Sequence, residues 1–181
     1  MAAQGGYHTV LEDLSAGTLE QALAWIQARL DEGVARRKLT GKQRDAAIGL
    51  IRTSRSVDES IREADMVIEA TPEEMETKLE IFTLLDKFAR PGAILASTTS
   101  SLSVSEIATI TFRAEHCVGM RFFIPAPNTK LLEVVRALET SDETIFACTE
   151  VGRRMGKEVV VVTESPDLSR AASTPASTST P

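Results

Sequence analysis

The sequence predicts an α/β domain, a doubly wound parallel sheet with helices on both faces, and three observations point to it. Short runs rich in Val and Ile recur along the chain. Segments with one apolar face at helical spacing lie between them. The runs are apolar at consecutive positions, as strands buried on both sides are.

HTVLED (8–13) is the first such run. Gly5 and Gly6 precede it, so they read as the turn closing a helix end rather than as a loop after a strand. Leu19, Leu23, Ile26, Leu30 and Val34 then mark one face of a helix whose other face is charged. The second run, ADMVIEAT (64–71), leads into Thr71-Pro72-Glu73-Glu74, which spells a helix start. Thr71 caps, Pro72 suits the first helical position, Glu74 completes a capping box, and Met75, Leu79, Phe82 and Leu85 form the buried face. GAILAST (92–98) and HCVGMRFF (116–123) follow as strands. Ser103 with Glu106, and Thr140 with Glu143, repeat the capping-box pattern ahead of further helices. EVVVVTES (158–165) is the last run. Residues 166–181 hold almost nothing large and apolar, so the expected organisation is one domain over 1–165 and a disordered Ser/Thr/Pro tail over 166–181.

At 181 residues, 43% apolar and 25% charged, the chain has the make-up of one soluble globular domain. Its 20 basic and 26 acidic residues offer no basic face for a phosphate backbone, so nucleic acid is not an expected partner. Cys117 and Cys148 lie in apolar segments without C-x-x-C spacing. They read as buried thiols rather than as a disulfide or metal site, which implies a reducing, cytoplasmic setting. No apolar run approaches the roughly 20 residues of a membrane span, and MAAQGGYH lacks the pattern of a secretory signal.

In a doubly wound sheet ligands bind at the carboxyl ends of the strands, and several of those ends are polar here. Asp13 closes the first run, where an acidic residue takes ribose hydroxyls of a dinucleotide or caps the helix that starts near Ser15. Glu69 ends MVIE inside an apolar run, where a carboxylate needs a ligand or a structural donor. Ser97, Thr98, Thr99, Ser100 and Ser101 form a hydroxyl cluster after ILA, fit to donate to a carbonyl or phosphate or to build a turn.

The segments VLEDLS, LDEGVARRKLT, ADMVIEA, PGAILASTTSSLSVSEIA, GMRFFIPAPNTKLLEVVR and MGKEVVVVTESP together resemble the NAD-binding domain of the L-3-hydroxyacyl-CoA dehydrogenases, including the 3-hydroxybutyryl-CoA enzymes. The resemblance runs over roughly residues 3 to 166. It implies a Rossmann-like fold, NAD as cofactor, an acyl-CoA substrate and interconversion of 3-hydroxyacyl-CoA with 3-oxoacyl-CoA in fatty-acid β-oxidation. Asp13 would then hold the adenosine ribose, Glu69 would lie beside the nicotinamide ribose, and Ser100 would contact the substrate's 3-oxygen. Glu133 would orient the catalytic base. Arg36-Arg37-Lys38 lies where the family meets coenzyme A, or is simply a solvated helix end.

The chain departs from this family at three places. Arg121 stands where the family has its catalytic histidine, and an arginine does not accept a proton at any relevant pH. Neither His116 nor His8 is placed to substitute, and Thr98 and Ile124 replace two asparagines of the family's site. Arg121 and Glu133 are therefore expected to form a partly buried ion pair. The family's first strand and G-x-G-x-x-G loop have no counterpart in these residues, which predicts two unpaired ladder edges inside the sheet. At Ser165-Pro166 the family continues into a helical domain, whereas this sequence turns to Ser, Thr and Pro. The expectation is a dehydrogenase-like domain with impaired turnover. The alternative is a non-catalytic nucleotide- or acyl-CoA-binding remnant associated with an intact dehydrogenase subunit.

Overall fold

In the computed structural model, which describes residues 1–164, the strands fall into two sheets. β1 (Thr9–Glu12) and β2 (Ile51–Ser54) pair in parallel. β3 (Met66–Glu69), β4 (Ile94–Ser97), β5 (Cys117–Phe122), β6 (Leu131–Arg136) and β7 (Glu158–Thr163) form a five-stranded sheet in that order. The helices are α1 (Ala16–Ala35), α2 (Gly41–Gly49), α3 (Val57–Ile61), α4 (Met75–Phe88), α5 (Val104–Ala108) and α6 (Asp142–Arg154). Ser165-Pro166 and the tail expected over 166–181 lie outside the described residues.

All five expected strands are present, and β2 and β6 go beyond the expectation. The Ile51-Arg52-Thr53-Ser54 strand exposes its two central residues, so it carries no apolar run. β6 runs antiparallel to β5, which corrects the expectation of a wholly parallel sheet. The cause is the short link over residues 123–130, because a parallel return needs a crossover of about a dozen residues or more. α6 supplies such a crossover between β6 and β7, which pair in parallel. The architecture is Rossmann-like, a mixed but mostly parallel sheet with helices on both faces.

The ladder is interrupted where expected. Among the described residues β1 pairs only with β2, and β3 only with β4. In the doubly wound order 3-2-1-4-5-6, the place between this β1 and this β3 belongs to the central strand. Val10 and Leu11 of β1, and Val67 and Ile68 of β3, are accordingly only half-buried, whereas Leu95, Ala96, Val118 and Met120 on the next two strands are fully buried.

Alternation along β4 and β5 splits the core between the two faces of the sheet. Leu95 and Cys117 pack with Phe82 and Leu85 of α4 and Ile107 of α5. Ala96 and Val118 pack with Leu132, Val134 and the α6 residues Ile145 and Cys148. A smaller cluster of Leu30, Ala47 and Ala3 ties α1 and α2 to the N-terminal 3-10 turn. As expected, glycine closes that turn: Gly6 has φ 88°, and a Cβ on Gly5 would lie 2.7 Å from the Arg154 carbonyl oxygen.

Side-chain caps set the helix starts. Ser15 caps α1, Ser103 caps α5 and accepts from the Glu106 N–H, and Thr40 with Gln43 forms a full capping box on α2. Two expected starts are corrected. α4 begins only at Met75, because the Thr71 hydroxyl and N–H are spent on Glu69. α6 is capped by Ser141, which accepts from the Thr144 N–H, because the Thr140 hydroxyl donates instead to the Cys117 carbonyl.

Candidate functional site

The carboxyl ends of β3, β4 and β5 and the amino end of the antiparallel β6 are joined by one chain of polar contacts. At its buried end is Glu69, the last residue of β3. Oε1 accepts from the Thr71 hydroxyl at 2.6 Å and Lys78 Nζ at 2.9 Å, and Oε2 from the Ser97 hydroxyl at 2.7 Å. The Lys78 and Glu69 side chains are 0% and 1% exposed, a fully buried ion pair. Burial alone raises the Glu69 carboxyl, but donation from Thr71, Ser97 and Lys78 outweighs it and leaves the group below the usual glutamate range. Glu69 thus lies at the expected strand end with both oxygens engaged by the protein.

The hydroxyl cluster after β4 is organised by Glu73, on the segment leading into α4. One oxygen, Oε1, accepts from the Thr99 hydroxyl at 2.7 Å and from the Ser100 and Ser101 N–H groups at 2.8 and 2.9 Å. The Ser101 and Ser100 hydroxyls follow at 3.0 and 3.2 Å. Partial burial pushes this carboxyl up, and the Thr99 hydroxyl with the Ser101 and Ser100 N–H groups pulls it down further, to about 2. Ser97 and Thr99 are buried, Thr98 is half-buried, and Ser100 and Ser101 are exposed at the surface of the loop.

Arg121, the penultimate residue of β5, lies opposite Glu133 of β6. Its Nη1 lies 3.8 Å from Glu133 Oε2, with side chains 17% and 28% exposed. Its Nε donates to the Thr99 carbonyl at 3.0 Å, which ties β5 to the hydroxyl loop. Next to it Ile124 is exposed. His116 sits in the 3-10 turn that precedes β5, and His8 just before β1, so the structure puts no histidine beside Arg121.

Asp13 stands apart from this cluster, at the end of the separate β1–β2 ladder, where its Oδ1 accepts from the Ser15 N–H at 2.8 Å. Glu12 Oε1 beside it is buried without a hydrogen-bond partner among the described residues, and burial, with Asp13 alongside, raises that carboxyl. Arg36, Arg37 and Lys38 form an exposed end to α1: Arg36 pairs with Glu32, and Arg37 has φ 57°. Cys117 and Cys148 are buried free thiols, and burial lifts them to about 11 and about 12, so neither is a nucleophile. Among the described residues no three His, Cys, Asp or Glu side chains converge to hold a metal ion, and no helix is long and apolar enough to cross a membrane.

Glu73 and Lys78 are the two members of the site that the sequence reading did not single out. Lys78 had a signal, since it falls on the helical face of Met75, Phe82 and Leu85 nine residues after a strand-end carboxylate. Glu73 had none, because its partners lie 26 to 28 residues away.

Residues 1–165 match the family model described as 3-hydroxyacyl-CoA dehydrogenase, NAD binding domain. A probable 3-hydroxybutyryl-CoA dehydrogenase of Bacillus subtilis is 37% identical over 165 residues, 91% of this chain and 57% of the relative. The 3-hydroxyadipyl-CoA dehydrogenase of Escherichia coli is 35% identical over 160 residues, 88% of this chain and 34% of the relative. The crystal structure of 3-hydroxybutyryl-CoA dehydrogenase from Escherichia coli superposes with a TM-score of 0.87 at 34% identity, over 91% of this chain and 35% of that one. The (S)-3-hydroxybutyryl-CoA dehydrogenase of Ralstonia eutropha gives 0.86 at 34% identity, over 91% and 58%. The chain thus spans little more than half the length of 3-hydroxybutyryl-CoA dehydrogenases that it matches.

Proposed function

Because the chain belongs to the 3-hydroxyacyl-CoA dehydrogenase family through its NAD-binding domain, we propose that its chemistry derives from oxidation of 3-hydroxyacyl-CoA to 3-oxoacyl-CoA, and that turnover by this chain is impaired. NAD, when bound, supplies the hydride acceptor. The residues here fit that cofactor only in part. Asp13, which engages the protein through one oxygen, suits the adenosine ribose. No G-x-G-x-x-G occurs within residues 1–165 to donate backbone N–H groups to the pyrophosphate. The proposed domain, 1–165, therefore holds the dinucleotide weakly by itself.

The observation that carries the reading is the contact of Arg121 with Glu133. Oxidation of a 3-hydroxyl needs a base for its proton, and the guanidinium standing there cannot take one. Arg121 instead offers a fixed positive charge beside the 3-oxygen that Ser100 would contact, and Glu133 neutralises that charge rather than orienting a base. Glu69, with both oxygens engaged, would support the nicotinamide half from below rather than bind it directly. A cytoplasmic setting fits the two reduced, buried thiols.

The test is calorimetric titration with NADH, followed by acetoacetyl-CoA reduction at 340 nm. Weak or absent NADH binding and negligible reduction are expected. A rate within tenfold of an ordinary dehydrogenase would refute the impairment, and Arg121→His is expected to raise any residual rate.

A second reading, in which the domain works as a non-catalytic partner of an intact dehydrogenase subunit, is favoured by the open edges of β1 and β3. Among the relatives are alpha subunits of fatty acid oxidation complexes. Co-expression with a full-length dehydrogenase is expected to yield a stable complex. A chain recovered alone, soluble and monomeric counts against it.

A further inference from the structure

We propose that Glu73 is a positioning residue, which holds the loop from Thr99 to Ser101 so that the Ser100 hydroxyl meets the 3-oxygen of an acyl thioester. This rests on the functional reading above. Five donors converge on Glu73 Oε1: the Thr99 hydroxyl at 2.7 Å, the Ser100 and Ser101 N–H groups at 2.8 and 2.9 Å, and the Ser101 and Ser100 hydroxyls at 3.0 and 3.2 Å. A carboxylate oxygen has about two lone-pair directions, so these donors compete and the longest contact is released first. That contact is the Ser100 hydroxyl, on an exposed residue, while Thr99 is fully buried. The backbone of the loop is therefore fixed by the short contacts, and the Ser100 hydroxyl is the group left to turn toward a ligand.

Glu73 is itself held in place. Its Oε2 lies 3.8 Å from Lys78 Nζ, and Lys78 is locked by Glu69 in the buried core. From the other side, Arg121 Nε fixes the Thr99 carbonyl. A loop of three consecutive hydroxyl residues would otherwise sample several turns, because its side chains compete with its own backbone for hydrogen bonds. One carboxylate outside the loop selects a single arrangement, and it does so without touching the ligand.

Titration calorimetry with 3-hydroxybutyryl-CoA and with butyryl-CoA, which lacks the 3-oxygen, tests the assignment. The wild-type chain is expected to prefer the hydroxy ligand by up to about tenfold, the value of one hydrogen bond. Glu73→Gln and Ser100→Ala are each expected to erase that preference while leaving butyryl-CoA affinity unchanged, and the double variant should be no worse than either. Glu73→Asp, which keeps the charge and shortens the reach, should lower the preference and guards against a misfolded glutamine variant. A full wild-type preference in Glu73→Gln or Glu73→Asp overturns the proposal. So does an equal loss for both ligands, which marks a role in stability alone. If the wild-type chain binds neither thioester, the acyl-CoA reading of the site fails, and the proposal with it. If it binds both equally, only the Ser100 assignment and its positioning by Glu73 fall.

Discussion

Arg121 and Glu133 are direct partners across the antiparallel β5–β6 ladder, with Nη1 3.8 Å from Oε2 and both side chains mostly withdrawn from solvent. The contact is longer than a hydrogen bond, and the Arg121 Nε–H goes to the Thr99 carbonyl instead. Arg121→Met removes both interactions and leaves Glu133 half-buried without its cation. The expected loss is about 1–2 kcal/mol in urea unfolding. In a double-mutant cycle with Glu133→Gln the coupling should be a few tenths to about 1 kcal/mol, and a coupling of zero would show the two charges to be independent.

Lys78 carries a larger effect, because it is the cation for a carboxylate sealed from water. Lys78→Met leaves Glu69 with Thr71 and Ser97 as donors but no countercharge, and such a loss costs about 3–5 kcal/mol. The expected outcome is a marked fall in the urea midpoint at neutral pH, partly recovered by pairing it with Glu69→Gln. A single variant as stable as the wild type would contradict a charged, buried pair.

Acid should loosen the same strand ends. Glu73 is held down to about 2, and Glu69 also lies below its ordinary range. A carboxyl depressed in the folded state contributes stability that is present above the unfolded value and is lost as pH falls through the folded one. Stability should therefore decline from about pH 4.5 downward, and down to about 2 for the Glu73 contribution. Thermal melts across this range should show a shallower decline in Glu73→Gln than in the wild type, and parallel slopes would sink the assignment.

How much of this was legible in the sequence depends on the range of the interaction. The apolar runs around Val10, Ile68, Leu95, Val118 and Val161 announce strands, although of these only β4 and β5 are buried on both faces as such runs suggest, and Val160 and Val161 of β7 are exposed. β2 did not, since Arg52 and Thr53 face solvent, and the direction of β6 is set by loop length rather than by composition. Thr71 and Thr140 looked like caps because local spacing cannot reveal a competing acceptor, which here was Glu69 for one and the Cys117 carbonyl for the other. The Arg121–Glu133 contact was foreseen only through the family pattern, and Glu73 escaped because its donors sit on another strand's loop.

Glu12 offers a test at the open edge of the sheet. Its Oε1 is buried at the end of β1 without a partner among the described residues, and burial together with Asp13 raises its carboxyl. A glutamate raised in the folded state binds its proton more tightly there than in the unfolded chain. Stability is then greatest at low pH and falls as pH rises from the unfolded value through the folded one, and the penalty persists at neutrality. Glu12→Gln removes the charge while keeping the shape, so the variant should be more stable than the wild type at pH 7, by less than about 1 kcal/mol. The gain should shrink toward pH 4, where the wild-type carboxyl carries its proton as well. Should a strand from a partner subunit cover β1 and give Oε1 a donor, the sign of the pH 7 effect would reverse in the complex. Melts of Glu12→Gln alone and with the partner bound would therefore report whether that edge is closed.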